Sequence, residues 1–174
     1  ALRDLDGDGD LEIIFTTQNG SSGDLFAIHH NGEDVTGFPA EIDEKMRVGP
    51  ALGDLDDDGV VDIVIVTWDD NIYALDAFGN IKPGFPVTST NRFNCAPTLA
   101  DLDGNGTLEI IAGNDSGLLH VLFHDGSEMS TFDTGDDIRG GISVSDLNND
   151  GSLEILFSGY DDMVHVWNPF SEQE

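Results

Sequence analysis

The sequence repeats one acidic motif four times at nearly even spacing. The first copy begins at Asp4 and the others at Asp54, Asp101 and Asp146, so successive copies lie 50, 47 and 45 residues apart by subtraction. The copies read DLDGDGDLEI, DLDDDGVVDI, DLDGNGTLEI and DLNNDGSLEI. A chain with this period is built from repeated supersecondary units, which stack on one another instead of folding around a single irregular core.

Each motif carries the ligand types that a hard cation requires. Side-chain oxygens occupy motif positions 1, 3 and 5, a carboxylate occupies position 9, and the glycine at position 6 allows the sharp bend between them. The backbone carbonyl of position 7 can complete the set. Calcium fits such a loop best, with one ion for each repeat and up to four in the chain. The predicted ligands are Asp4, Asp6, Asp8, Asp10 and Glu12; Asp54, Asp56, Asp58, Val60 and Asp62; Asp101, Asp103, Asn105, Thr107 and Glu109; and Asp146, Asn148, Asp150, Ser152 and Glu154.

The motif has two competing interpretations. An EF-hand loop needs a bidentate glutamate at position 12, but apolar residues stand there in all four copies and no helical periodicity follows. The motif could instead form acidic hairpin turns that bind no ion. Turns seldom need three or four carboxyl and amide groups packed together without a counter-charge, which favours a calcium loop.

The segments between the motifs predict short β-strands and no helix. The apolar runs after the motifs, at residues 13–15, 63–66, 110–112 and 155–157, are expected to be strands buried on both faces. Second strands are expected at residues 25–28, 72–75, 119–122 and 164–167. Outer strands are expected at residues 37–40 and 84–87, where an internal proline indicates a sheet edge, and at residues 129–133. Small-residue strands lead into the next motif at residues 48–53, 94–99 and 140–144.

Four strands in each repeat, with the smallest residues in the strand before the motif, predict an all-β fold made of β-propeller blades. Each blade is a four-stranded antiparallel sheet. The predicted blades cover about residues 1–44, 45–90, 91–136 and 137–174 of a single partial propeller domain.

The repeats resemble the FG-GAP or VCBS repeats of integrin-α-like β-propellers over almost the whole chain. The family's inner strand, with its Gly-Ala-Pro core, is similar to residues 48–54 and 95–101, whereas residues 140–146 lack the proline. The resemblance implies calcium ligands at the positions given above, with weaker sites where Asn105 and Asn148 replace aspartate and where glutamate stands at position 9. In the family the calcium loops join the inner two strands and partners often contact the opposite face, which implies a binding module.

Related propellers usually have seven or eight blades, so the resemblance implies that these four blades belong to a larger propeller. The first repeat lacks most of its innermost strand, and the last stops without its outermost one. The chain is therefore expected to be a segment of a longer protein, or two copies complete each other. Open sheet edges predict edge-mediated self-association.

The charge of the chain limits its partners. With 35 acidic and 6 basic residues the formal net charge is −29, which argues against nucleic acid and against an anionic membrane surface. No apolar run has the length of a membrane-spanning helix, so direct membrane insertion is not expected. The sequence begins inside a motif, which implies a processed or trimmed N-terminus. Calcium loops of modest affinity fill readily outside the cell, so a secreted or cell-surface location is expected.

The sequence offers little chemistry beyond calcium. His120 and His165 share a second-strand position with Phe26 and Tyr73 and are expected to pack there, with a histidine-based zinc site as the alternative. Cys95 is expected to be a small buried side chain. The leading prediction is a non-catalytic calcium-binding module that mediates adhesion to protein or glycan. An extracellular polysaccharide lyase or hydrolase is the enzyme alternative, and a purely structural spacer is the third possibility.

Four of the six basic residues stand just before an inner strand; they are Lys45, Arg47, Arg92 and Arg139. The family topology would bring their linkers together on the face opposite the calcium loops, beside turns that carry Trp68 and Tyr160. Guanidinium groups bind carboxylates through two parallel hydrogen bonds. A carboxylate-bearing partner is therefore predicted to contact Arg47, Trp68, Arg92, Arg139 and Tyr160. Local ion pairs with acidic residues of the same linkers are the alternative.

Overall fold

A computed structural model describes residues 1–170 as fifteen β-strands, with no helix among them. The strands form four antiparallel sheets, three with four strands and one with three. Within the described residues, therefore, no helix is available that could cross a membrane. The predicted all-β architecture is confirmed, with one sheet for each copy of the acidic motif.

The strands of each sheet lie side by side in chain order. The first sheet contains β1 (Leu2–Arg3), β2 (Glu12–Thr16), β3 (Asp24–Ile28) and β4 (Ala40–Glu41). The second contains β5 (Ala51–Gly53), β6 (Asp62–Val66), β7 (Asn71–Leu75) and β8 (Val87–Thr88). The third contains β9 (Thr98–Ala100), β10 (Glu109–Gly113), β11 (Leu118–Leu122) and β12 (Glu128–Asp133). The fourth contains β13 (Ser143–Ser145), β14 (Glu154–Ser158) and β15 (Val164–Trp167).

Three hydrophobic layers hold consecutive sheets face to face. Because successive side chains of a strand point to opposite faces, β6 places Ile65 in the layer shared with the first sheet and Val64 in the layer shared with the third. A further layer joins the third and fourth sheets around Ile111 and Phe157. Burying one such side chain stabilises the fold by roughly 1.5–3 kcal/mol. The layers keep neighbouring acidic loops adjacent.

The two end sheets each leave one face open. The prediction that the strand after each motif is buried on both faces holds for β6 and β10, in which every residue is buried. It is wrong for β2, where Ile13 is 42% exposed, because no sheet covers that side of the first sheet. On the fourth sheet, Val164 and Val166 of β15 are 73% and 57% exposed. The face of the first sheet that carries Ile13 is therefore exposed, whereas the equivalent faces of the second and third sheets are buried.

The outer strands differ from the prediction in where they begin. Pairing starts only after Pro39 and Pro86, because proline cannot donate to the ladder, so β4 and β8 are two-residue edge strands that exclude the proline. Each proline follows a cis peptide bond. The third repeat has no such proline, and β12 covers the predicted residues 129–133 and begins one residue earlier, at Glu128.

The glycine before each Phe-Pro pair lies against the neighbouring sheet. A side chain at Gly37 would collide with the carbonyl of Phe78, and one at Gly84 would collide with the carbonyl of Asp125. Both glycines also have positive φ, at 98° and 92°. This backbone contact recurs between successive sheets and needs glycine for both reasons.

Candidate metal centres

The acidic loops connect the first and second strands of all four sheets, as predicted, and they share one hydrogen-bond scaffold. The aspartate at position 1 accepts backbone N–H groups from the loop on both carboxylate oxygens: Asp54 Oδ1 accepts from Asp58 at 3.0 Å, and Oδ2 accepts from Gly59 at 2.8 Å. Asp101 and Asp146 make the equivalent bonds, whereas Asp4 Oδ1 accepts from Gly7 at position 4 and only its Oδ2 bond, from Gly9, is equivalent. The sharp turn predicted at position 6 is present, since Gly9, Gly59, Gly106 and Gly151 all have positive φ.

The residue at position 5 uses its Oδ1 to hold the loop, which leaves a second carboxylate oxygen in the three aspartates but none in Asn105. Its Oδ1 accepts the backbone N–H of position 7 at 2.7–2.8 Å in all four loops. The pairs, position 7 first, are Asp10 with Asp8, Val60 with Asp58, Thr107 with Asn105, and Ser152 with Asp150. Asparagine at this position therefore keeps the loop geometry. The role of the position 7 carbonyl as a cation ligand stays a prediction.

The carboxylate at position 9 is buried and clamps each loop. Glu12, Asp62, Glu109 and Glu154 are 0%, 2%, 0% and 7% exposed. One oxygen of each accepts the backbone N–H of position 2, at 2.8, 3.1, 2.7 and 2.9 Å respectively. The sequence indicated a cation ligand at this position but not the clamp. A buried carboxylate needs a partner for its second oxygen as well.

The third loop leaves that second oxygen without a partner. Glu109 Oε1 is buried and accepts no hydrogen bond. Asp101, Asp103 and Glu109 can each bring one carboxylate oxygen within 4.8 Å of the others. Burial raises the pKa of Glu109, and the charges of Asp103 and Asp101 add to the effect. A divalent cation among these oxygens would satisfy the orphan oxygen and neutralise the repulsion, so the residues present fit calcium.

The first loop gathers a similar group. Asp4, Asp6 and Glu12 can bring one oxygen each within 4.8 Å of one another, and a second set is formed by Asp6, Asp8 and His29. His29 Nδ1 lies 3.2 Å from Glu12 Oε1. Sequence reasoning missed His29, although it directly follows the strand that pairs with β2.

The fourth loop keeps the scaffold with a different set of polar groups. Asn148 Nδ2 donates to Asp150 Oδ2 at 2.9 Å, and Asn168 Nδ2 donates to Glu154 Oε1 at 3.4 Å. Amide hydrogens therefore occupy one oxygen at position 5 and one at position 9 of this loop, whereas Glu109 Oε1 has no partner in the third loop. The fourth loop fits a cation with fewer charged ligands.

The second loop contains a cation of its own. Lys82 Nζ donates to Asp56 Oδ2 at 2.9 Å and to Asp62 Oδ2 at 2.7 Å. Burial opposes a charge on Lys82, but hydrogen bonds to Asp62 and Asp56 outweigh it and hold the pKa of the ammonium group above its usual range. The hydrogen bond from Lys82 also lowers the pKa of Asp56.

Lys82 distinguishes the second loop from a full calcium site, because it occupies oxygens that a bound ion would need. Among the described residues, the acidic group of this loop consists of Asp54, Asp56 and Asp58, without the carboxylate at position 9. Asp56 Oδ1 remains buried without a partner. Val35 is the equivalent of Lys82 in the first repeat. The backbone N–H of Val35 donates to the carbonyl of Ala27 in β3, and that of Lys82 donates to the carbonyl of Ala74 in β7. A base at an otherwise apolar position was the signal that could have identified it.

A row of cations lies at the other end of the sheets, where the second strand turns into the third. Trp68, Asp115 and Tyr160 hold equivalent positions, because each donates its backbone N–H to the linker that enters its own sheet. The acceptors are the carbonyls of Lys45, Arg92 and Asp137, at 2.7, 2.9 and 2.9 Å. The turns thus alternate an aromatic ring, a carboxylate and another ring across three sheets.

The predicted ligand-binding residues form one continuous row through these turns. Lys45 Nζ, Arg47 Cζ and Arg92 Cζ lie 3.8, 3.9 and 4.6 Å from the ring centroid of Trp68. Arg92 Nε and Arg139 NH2 each donate to Asp115 Oδ2, at 2.7 and 2.8 Å. Arg139 Cζ lies 5.2 Å from the ring of Tyr160. The structure therefore brings these residues together, and whether they bind a partner stays a prediction.

Asp115 joins the two halves of the row, and sequence reasoning missed it. Its side chain is 3% exposed. Burial opposes its charge, but hydrogen bonds from Arg139, Asn94 and Arg92 outweigh burial and hold the pKa of Asp115 below its usual range. The expected local ion pair occurs only at Arg139, which contacts Asp137 at 2.7 Å. Within residues 1–170, Lys45 and Arg47 have no carboxylate partner.

His120 and His165 pack as ordinary side chains of their sheets. His120 pairs across the sheet with Ala112, and His165 pairs with Phe157, which confirms their shared strand position. His165 also stacks on Phe157 with ring centroids 5.0 Å apart. Cys95 is buried, and burial raises the pKa of its thiol, so it is not an activated nucleophile.

Comparison with known proteins assigns the repeats. A family model described as an FG-GAP-like repeat matches residues 4–65 and 101–157, which is more than half of the chain. These ranges include all four acidic loops. No curated protein sequence matches the chain significantly.

Solved structures show the fold. The biofilm matrix protein Bap1 of V. cholerae is 25% identical with a TM-score of 0.67, and the match covers 94% of this chain and 28% of Bap1. BBS1N in complex with ARL6DN is 12% identical with a TM-score of 0.69, over 98% of this chain and 53% of BBS1N. The Pan2 WD40 domain of Neurospora crassa is 12% identical with a TM-score of 0.51, over 86% and 46%. WD40 domains are β-propellers. This chain spans about half the length of these proteins or less.

Proposed function

The chain belongs to the family of FG-GAP-like repeats, and from that premise we propose that it is a non-catalytic, calcium-stabilised propeller module that mediates adhesion outside the cell. Bap1 is a biofilm matrix protein, and its 25% identity supports an extracellular, adhesive role for this chain. The acidic loops support calcium, which is abundant in that setting. The propeller blades then serve as a rigid frame for a binding surface.

Glu109 is the single observation that carries the calcium assignment. A wholly buried carboxylate with one unpartnered oxygen costs free energy unless a cation lies beside it. Asp101 and Asp103 supply the neighbouring oxygens. An acidic turn that bound no ion would leave this oxygen orphaned and three acids in mutual repulsion.

The loops differ in what they bind. Calcium occupies the first, third and fourth loops, which all keep the glutamate at position 9. The ammonium group of Lys82 takes the place of a tight calcium ion in the second loop, where the shorter Asp62 stands at position 9 and bonds Lys82 at 2.7 Å. A divalent ion and an ammonium group cannot share the same two carboxylate oxygens without strong repulsion. The proposed complement is three tightly held calcium ions.

Thermal unfolding with and without calcium tests the proposal. An ion that binds only the folded chain stabilises it by RT ln(1 + [L]/Kd), about 2.7 kcal/mol at one hundred times Kd for each site. Calcium should therefore raise the melting temperature well above that measured with a chelator. Magnesium at the same concentration is the matched control, because it dehydrates reluctantly and demands octahedral geometry. Equal melting temperatures in calcium and chelator would refute the proposal.

A further inference from the structure

The cationic row, consisting of Lys45, Arg47, Trp68, Arg92, Asp115, Arg139 and Tyr160, has a chemistry that the calcium loops do not explain. It lies at the opposite end of the sheets from those loops, and its cations are drawn from a chain with only 6 basic residues and 35 acidic ones. We propose that this row binds the carboxylate groups of an acidic polysaccharide. The inference rests on the proposed function, because it names the partner class of the same adhesion module.

Asp115 shows how the row holds a carboxylate. Its oxygens accept hydrogen bonds from Arg92 on one side and Arg139 on the other, at 2.7 to 2.9 Å. Two guanidinium groups around one carboxylate form strong, charge-assisted hydrogen bonds. The carboxylate here belongs to the chain itself and stands at the turn position that Trp68 occupies in the preceding sheet. Cations also surround the turn of Trp68, but none of the carboxylates that the structure describes lies between them.

Three cations lie over the ring of Trp68. Arg92 comes from the linker of the third sheet, and Lys45 and Arg47 come from the linker of the second sheet, at 3.8 and 3.9 Å from the ring centroid. Arg47 is exposed. Contact with the ring face engages the positive charge but leaves N–H groups available for an acceptor. A ligand carboxylate beside Trp68 would therefore meet donors from two linkers, as Asp115 does from Arg92 and Arg139.

A purely structural role explains these cations less well. The nearby Asp69 accepts the backbone N–H of Lys45 at 3.1 Å, while the Lys45 ammonium group instead lies over Trp68. In a chain with 35 acidic residues, a lysine or arginine can readily find a carboxylate partner within the chain. Lys45 and Arg47 have no such partner within the described part of the chain, so their positive charge is available to a ligand.

The arrangement favours a polymer of acidic sugars. Arg92 and Arg139 are paired with Asp115. The row therefore offers unpaired positive charge beside Trp68 and an aromatic ring at Tyr160, which suits an extended ligand that carries both carboxylates and sugar rings. Tyr160 is 61% exposed and offers an apolar ring face to the C–H face of a sugar. The net charge of −29 repels anions, but at physiological ionic strength salt screens this repulsion at distances beyond about 8 Å. Contacts within the row then decide binding.

Calorimetric titration of the calcium-loaded chain tests the proposal. The probe is trigalacturonate, a uronic acid trimer with one carboxylate on each sugar, and its methyl ester supplies the same sugars without charge. The wild-type chain should bind the acid and not the ester. The double variant Lys45→Gln and Arg47→Gln should weaken binding of the acid at least about tenfold, since a hydrogen bond to a charged group is worth more than one such factor. Arg3→Gln is the matched control and should bind as the wild type does.

Four results would overturn the proposal: no binding of the acid, equal binding of acid and ester, unchanged binding in the double variant, and tighter binding of a triglutamate peptide than of trigalacturonate. The last would assign the row to an acidic protein. Melting of the same samples with and without calcium separates this test from that of the proposed function. A calcium-dependent rise without trimer binding refutes the partner class alone, and trimer binding without the rise refutes the calcium assignment alone.

Discussion

Lys82 Nζ lies 2.7 Å from Asp62 Oδ2, across 20 residues of sequence, and so places a tethered positive charge in the second acidic loop. The side chains are 15% and 3% exposed, which makes this one of the least solvated ion pairs of the chain. The equivalent residue of the first repeat, Val35, is apolar. The second repeat thus supplies a lysine that neutralises its own acidic loop. Its dependence on calcium should therefore differ from that of the other loops.

Replacing Lys82 by methionine should convert the second loop into a metal-dependent one. Removing one partner of a buried ion pair leaves an uncompensated charge and costs about 3 kcal/mol or more. In chelator, the variant should lose stability by roughly that amount in urea unfolding. In calcium, most of the loss should be recovered, because an ion can now bind Asp56 and Asp62. Val35→Met is the matched control, and an equal loss in both variants would show that packing alone is responsible.

Replacing Asp115 by asparagine should destabilise the cationic row by about 1–3 kcal/mol at neutral pH. The pKa of Asp115 is held below its usual range, so its contribution is complete above the unfolded pKa, about 3.9. It is lost as the pH falls through the lower folded pKa. The stability difference between wild type and variant should therefore be constant from neutral pH to about 5 and shrink at more acidic pH.

The exposed Asp34 provides the control for that measurement, since Asp34→Asn makes the same chemical change in the first repeat, outside the turns of the row. It should change the free energy of unfolding by less than about 0.5 kcal/mol. A difference for Asp115→Asn that stayed constant at acidic pH would show that its charge is not what stabilises the row.

Replacing Gly84 by alanine should separate the second and third sheets. The new methyl group would collide with the carbonyl of Asp125, and alanine is also strained at a φ of 92°. Gly135→Ala isolates the strain, because Gly135 has a φ of 78° and nothing lies within 4 Å of its added carbon. We expect a loss of about 1 kcal/mol for Gly135→Ala and several times more for Gly84→Ala by urea unfolding. Similar losses would refute the close contact between sheets.

The open faces of the first and fourth sheets should make this chain self-associate. Ile13 and Val166 are exposed on these faces, and the equivalent face of the second sheet is buried against its neighbour. Sedimentation velocity should show association that increases with concentration, and Val166→Lys should reduce it without lowering stability. Thr88→Lys, an exposed change on an outer strand, is the control. A stable monomer at high concentration would contradict this prediction.

The features that follow from local pattern were predictable from the sequence. The period of the acidic motif gives the four sheets, and strict spacing within it places Asp4 and Glu12 in one loop. Strand bounds such as Val164–Trp167 follow from the apolar runs. Proline shifted the outer strands because it prevents pairing at its own position, and the start of β4 at Ala40 depends on that detail.

The features that depend on neighbouring sheets were not predictable in the same way. Whether Ile13 is covered depends on a sheet beside it, which no local pattern reveals. Lys82 follows its partners in sequence by two strands, β6 and β7, and the turns after them. Asp115 could be identified only after its turn was aligned with that of Trp68, because its partners come from two different linkers.

The number of bound calcium ions shows whether the acidic loops are metal centres. Equilibrium dialysis of the calcium-loaded chain, compared with the variant Glu109→Gln, measures the number of tightly held ions. We expect three ions for the wild type and two for Glu109→Gln, because glutamine keeps the shape of the third loop and removes the buried charge that holds its ion. No tightly bound calcium in the wild type, or the same number in both proteins, would contradict it.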